Sequence, residues 1–324
     1  MARHYVGIDL GGTNIKGGVV TAEGEVLHFE SIETEIEGGR DHVLDRIAML
    51  VGKVRDAARV AQDDIAAVGI GSPGPLDTKR GIIHEAPNLP GWINLPLAAE
   101  TGRRCGYPCF LENDANSAAL AEAHVGAGKG TECMIMLTLG TGIGGGIVIG
   151  GRVWHGADDI AAELGHVSVK LDGIRCNCGS IGCVEAYASA TGVVRRALEA
   201  LAEGAESVLE ADGLTCKQVF EAAAGGDALA QRVVRDTATY LGAAIGSLIN
   251  IFNPDMIVLF GGMTNAGDQL FVPVREEAAK RSFKIGSDRC QIVRSLLGAE
   301  AGVIGAAITA MQAMDEQQDT ANLG

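Results

Sequence analysis

The stretch "VGIDLGGTNIKGGVV", residues 6–20, decides the fold. Short apolar runs alternate with glycine. They predict a strand through Leu10, a turn at Gly11-Gly12-Thr13 and a second strand from Asn14. A third strand follows in "EVLHFESIE", 25–33. The pattern returns in "MIMLTLGTGIGGGIVIGGRVW", 134–154, with Gly140-Thr141-Gly142 in the matching place. Likewise "DMIVLFGGM", 255–263, echoes "IAAVGIGSPG", 65–74: an apolar strand running into a turn of small residues. The pairing predicts an internal duplication, two α/β halves with mixed sheets.

Helices lie between these strands. Val43, Ile47, Leu50, Val51 and Val54 recur at helical spacing in 41–61. "CFLENDANSAALAEAHVGA", 109–127, reads as a strand that breaks at Asn113-Asp114 into an alanine-rich helix. Residues 299–314 form a last helix, and "DEQQDTANLG", 315–324, is expected to fray.

The chain has 324 residues, enough for one large or two ordinary domains. It is 47% hydrophobic but only 4% aromatic, so its core must be largely aliphatic. A net charge of -15 without a basic block argues against nucleic acid or an anionic membrane as a partner. Any phosphate site must therefore be local, made of oriented N–H groups, a lysine or a metal ion. No segment has the make-up of a signal peptide or the ~18 apolar residues of a membrane span. A cytoplasmic location is expected. The eight cysteines are then thiols or metal ligands rather than disulfides.

Two familiar phosphate motifs fail. "GAGKGT", 126–131, has Ala at 123 and no Ser or Thr directly after Lys129, so it is not a P-loop. Gly140, Gly142 and Gly145 match G-x-G-x-x-G, but "GIVIGGRVW" follows, a strand and hairpin where a dinucleotide site needs a helix. What remains is a pair of turns offering N–H groups and hydroxyls to phosphate oxygens, with Asp9 beside one and Gly261-Gly262 later. Two readings stand for Asp9, a water-mediated Mg²⁺ ligand or a buried carboxylate bonding its turn. Lys16 is a phosphate ligand or a surface lysine. In "RCNCGSIGCVE", 175–185, three cysteines fall in C-x-C-x₄-C. Cys176, Cys178 and Cys183 suit a tetrahedral zinc, and His166 is the expected fourth ligand. The remaining cysteines, Cys105 and Cys109 among them, follow no pattern.

"VGIDLGGTNIKGG", "LTLGTGIGGG" and "VLFGG" resemble the phosphate and adenosine motifs of the actin-like ATPases, a duplicated ribonuclease H-like α/β fold with two domains around a cleft. "APNLPGW", "ENDAN", "AELGH" and "CNCGSIGCVEAYAS" narrow the resemblance to the ROK family of repressors and sugar kinases, over about 5–312. The resemblance implies ATP-dependent phosphorylation of a hexose at its 6-hydroxyl, glucose before fructose, mannose, allose or an N-acetylated hexosamine. Asp114 matches the catalytic base. Asn88, Asn113, Asp114, Glu163, His166 and Glu185 match sugar ligands, with Gly74 nearby. Asp9, Gly11, Gly12, Thr13, Lys16, Gly140, Thr141, Gly142, Gly261 and Gly262 match the ATP site. Mg²⁺ with ATP, a structural zinc on His166 and the three cysteines, and a homodimer follow from the same likeness. So does a small domain of 1–114 plus 299–324, with a larger one at 115–298. Trp92 is expected to pack rather than stack on sugar. A repressor would need a helix-turn-helix ahead of the first strand, for which the start near Tyr5 leaves no room. A filament or chaperone ATPase would leave the sugar and metal motifs unexplained.

Overall fold

The computed structural model describes residues 3–86 and 89–323. Residues 1–130, 151–161 and 296–324 make up one compact unit, and 131–150 with 162–295 the other. In chain order, 1–130 supplies β1 (His4–Leu10), β2 (Asn14–Thr21), β3 (Val26–Glu33), α1 (Gly39–Ala58) and β4 (Ile65–Ser72). Then come β5 (Leu76–Asp77), β6 (Ile82–Glu85), β7 (Ile93–Leu95), α2 (Leu97–Cys105), β8 (Cys109–Asn113) and α3 (Asp114–His124). Residues 131–150 give β9 (Cys133–Leu139) and β10 (Ile143–Ile149), and β11 (Arg152–Val153) follows. Within 162–295 lie α4 (Val184–Ala188), α5 (Ala190–Ala202), α6 (Cys216–Ala224), α7 (Ala228–Phe252), β12 (Met256–Phe260), α8 (Asp268–Ala279), α9 (Lys284–Arg289) and β13 (Gln291–Arg294). The chain ends in α10 (Ala301–Leu323).

The duplication is written into the strand pairing. In the first unit β1 runs antiparallel to β2 and parallel to β4, which is parallel to β8. In the second, β9 runs antiparallel to β10 and parallel to β12, which is parallel to β13. The β10 strand after Gly142 also disposes of the dinucleotide reading, which needed a helix there.

Each unit has an aliphatic core. Val6, Ile8, Leu10, Ile15 and Val19 pack with Val43, Leu44, Ile47, Leu50, Val51 and Val54 of α1 in the first. Trp92 belongs to that core and is 2% exposed, so it packs as expected. The opposite face of the sheet takes α10. Here the backbones come so close that a Cβ on Gly7 would lie 1.8 Å from Val303 O, and one on Gly69 1.6 Å from Ala306 O. Only glycine fits.

Two expectations shift. The boundary expected at 114/115 falls at 130/131, because α3 packs on α10 within the first unit: a Cβ on Gly305 would lie 1.6 Å from Ser117 O. The tail expected to fray is helical to Leu323. No glycine or proline interrupts 306–323, and α10 is tied down by Gln312 donating to Gly151 O (2.8 Å) and by the Glu316–Arg152 ion pair.

Candidate active site and metal centre

The break from β8 to α3 is made by Asn113. Its side-chain oxygen accepts the Ala115 and Asn116 N–H groups at 2.9 and 3.2 Å, so it is the helix N-cap. Asp114 is thereby the first helical residue, and its Oδ1 accepts the Ala115 N–H at 2.8 Å. Behind the pair lies Glu112, only 2% exposed. One of its oxygens accepts from Asn113 N (2.8 Å) and Asn116 Nδ2 (3.1 Å); the other meets His155 Nε2 at 2.7 Å. That hydrogen bond raises the His155 pKa above its ordinary value against the opposing effect of burial. Neither Glu112 nor His155 was marked by sequence. "ENDAN" held Glu112, but a glutamate on a strand gives no sign that it points inward. His155 stands 43 positions away.

Gly74, also in the first unit, has φ +97°, and a Cβ there would sit 2.2 Å from Glu85 O. It is fixed as glycine by the turn that follows β4. Asn88 lies outside the described residues.

The first phosphate turn is closed by the Gly11 N–H donating to Asn14 O (3.0 Å) and held from outside by Thr34, whose hydroxyl donates to Gly11 O (2.7 Å). Thr13 is exposed. Asp9 and Lys16 face each other across the β1–β2 register and form an ion pair of 2.8 Å. The two open readings for these residues thus meet in one interaction. The lysine answers the carboxylate, and both stay partly accessible beside the turn.

In the second unit the Gly140 N–H donates to Gly142 O (3.0 Å), and Thr191 donates to Thr141 O (2.7 Å). Gly261, at φ +106°, comes so near β9 that a Cβ would lie 2.6 Å from Leu139 O. These turns open on one cavity of about 680 Å³, whose lining includes Gly140, Thr141, Gly262, Lys217, Phe220 and Glu221. The last three come from α6, a helix whose sequence carries no phosphate or base motif.

His166, Cys176, Cys178 and Cys183 each bring a ligand atom within 4.8 Å of the others. The His166 Nδ1 to Cys176 Sγ and Cys178 Sγ to Cys183 Sγ distances are both 3.7 Å. Sulfurs about 2.3 Å from one tetrahedral ion would be about 3.8 Å apart, so the donor set fits zinc. Around it stand two of the other marked residues. Glu163 Oε2 is 3.8 Å from His166 Nε2. Glu185 lies 3.6 Å from Cys176 Sγ through one oxygen, and accepts the Ile143 N–H at 2.9 Å through the other. Glu185 therefore joins the cysteine loop to the second phosphate turn, a link that spacing alone did not suggest.

Known proteins resemble the whole chain. The model of the ROK family matches residues 5–313. A glucokinase of Thermotoga maritima is 39% identical over 307 residues, 93% of this chain and 95% of its own. The crystal structure of a ROK hexokinase from Thermus thermophilus superposes with a TM-score of 0.84 at 36% identity, covering 97% of this chain and 99% of that one. A ROK family glucokinase from Streptomyces griseus, solved with glucose and AMPPNP, gives 0.75 at 36% identity, covering 95% and 99%.

Proposed function

The chain belongs to the ROK family, and from that premise we propose that it transfers the γ-phosphoryl group of ATP to the 6-hydroxyl of glucose. The glucokinase of T. maritima and the S. griseus enzyme with its glucose and nucleotide analogue support this substrate pair. The observation that carries the reading is the cavity of about 680 Å³ in the second unit. It joins Gly140, Thr141 and Gly262, far apart in sequence, in a space within the range of small-molecule sites. The nucleotide base and ribose belong there, with the phosphates running to the Gly140–Gly142 turn.

Phosphoryl transfer needs positioning, charge neutralisation and a base for the attacking hydroxyl. Asp114 takes the base role. Its position at the start of α3 is set by the Asn113 cap, and Glu112 and His155 hold the cap from behind. As the hydroxyl oxygen attacks the γ-phosphorus, Asp114 receives its proton and ADP leaves. Asn113 of the first unit and Glu163, His166 and Glu185 of the second are the donors and acceptors assigned to the sugar hydroxyls. Mg²⁺ bound with ATP would neutralise charge on the phosphates. Asp9 would hold it through water, freeing Lys16 to meet a phosphate oxygen. His166, Cys176, Cys178 and Cys183 would hold a zinc ion with four protein ligands, and the role it would supply there is structural.

Asp114→Asn tests the assignment. The variant should still bind glucose and lose about 10²–10⁴-fold in kcat. Turnover near that of the parent protein would remove Asp114 from the base role.

A further inference from the structure

The sequence gives Cys105 and Cys109 no motif, yet the fold brings them together. Cys105 is the last residue of α2 and Cys109 the first of β8. Gly106, at φ +81°, turns the chain sharply between them, its N–H donating to Gly102 O at 2.9 Å. The turn is fixed beyond that point. Tyr107 is buried, with its hydroxyl 3.2 Å from Arg55 Nη1, and Pro108 O accepts the Val68 N–H at 2.9 Å. The result is a Cys105 Sγ to Cys109 Sγ distance of 3.8 Å, with both residues half-buried.

Among the described residues, the only cluster of three or more potential metal ligands is the one at His166. The Cys105–Cys109 pair therefore lacks the ligands of a tetrahedral zinc. Two vicinal thiols reachable from solvent have another chemistry open to them, which is oxidation to a disulfide. We propose that Cys105 and Cys109 form a reversible disulfide site that reacts with a hydroperoxide.

The chemistry balances with hydrogen peroxide as oxidant. The Cys105 thiolate attacks one peroxide oxygen; an S–O bond forms, the O–O bond breaks, and the departing hydroxide takes up the proton Cys105 had released. Cys105 is now a sulfenic acid. The Cys109 sulfur then attacks the Cys105 sulfur, an S–S bond forms, the S–O bond breaks, and hydroxide leaves with the Cys109 proton as the second water. A dithiol reverses the reaction by exchange.

The two thiols are suited to these unequal roles. A hydrogen bond from Cys109 lowers the Cys105 pKa to about 7, so it is substantially thiolate at neutral pH. The same bond and burial push Cys109 up, keeping it protonated until the sulfenic acid forms. Burial raises the thiols of Cys216 and Cys290 to about 11.

The test uses the full chain, purified with zinc present and treated with equimolar hydrogen peroxide. Residual thiols are alkylated and the protein is digested with trypsin. Both cysteines fall in one peptide, 105–129, which contains no others. That peptide should be recovered unalkylated and two hydrogens lighter, and dithiothreitol should restore it. In Cys109→Ser, dimedone should trap Cys105 as its sulfenic acid adduct. In Cys105→Ser, peroxide consumption at this peptide should fall at least tenfold. Recovery of both thiols free while Cys176, Cys178 and Cys183 oxidise would overturn the proposal. So would Cys105 advancing to sulfinic acid without a disulfide.

Discussion

A buried carboxylate must be answered by donors, and Glu112 receives them from Asn113, Asn116 and His155. The groups that set the charge of His155 are Glu112 and Asp159, which favour the imidazolium, and Lys79 and burial, which oppose it. The balance raises its pKa in the folded protein. A raised histidine contributes stability that is complete below the unfolded value, near 6.5, and lost as pH rises through the folded value. In urea titrations, His155→Gln should therefore be most destabilised relative to the parent below about pH 6, with the gap narrowing above about 6.5. A gap that widens with rising pH would contradict this pairing. At this scale the sequence was legible where a residue type is rare for its place, as with three cysteines in one turn or Asn-Asp at a strand end. It was illegible where partners come from distant segments, as with Glu112 and His155, Asp9 and Lys16, or Cys105 and Cys109.

Elements were easier to read than their partners. The 3.6-residue period of α1 buries all five apolar positions marked for it, and the β8–α3 break falls at Asn113-Asp114 because asparagine caps a helix well. The loop between Leu164 and Val184 is different. It has little regular structure, and its order rests on side chains: the Cys176–Cys178–Cys183 set, His166, and the Tyr187 hydroxyl accepting the Ile174 N–H at 2.7 Å. Zinc can supply on the order of 10 kcal/mol to order such a site. Cys178→Ser should lower bound zinc below one per chain and raise the glucose KM strongly, since His166 belongs to the cluster and Glu163 and Glu185 flank it. The ATP KM should rise too, by less, because Glu185 also holds the Ile143 N–H of the phosphate turn. Parent protein without stoichiometric zinc would sink the idea, as would a zinc-free variant with an unchanged glucose KM.

At the scale of the whole molecule, the duplication was visible in two glycine turns and two apolar strands, and the matching strand pairings bear it out. Where the chain divides was not visible. The first unit keeps α3 and residues up to 130 through the packing of α3 on α10, and α3 also carries Glu122, a fully buried carboxylate. Glu122 accepts the Ala127 N–H at 2.8 Å and the Leu297 N–H at 2.8 Å, tying down the chain just before it leaves this unit and just after it returns. Nothing in a helix of alanines announces that role. The actin-like fold of the ROK kinases thus arises from a repeated sheet plus a few buried polar ties, and the proposed chemistry draws on both halves. The measurement that tests this most directly is coupled ADP release by the purified full chain, with ATP and Mg²⁺, over a panel of hexoses. Glucose should give one ADP for each sugar phosphorylated, with a kcat/KM above that for fructose, mannose, allose or N-acetylglucosamine. ADP release that no hexose stimulates would contradict it.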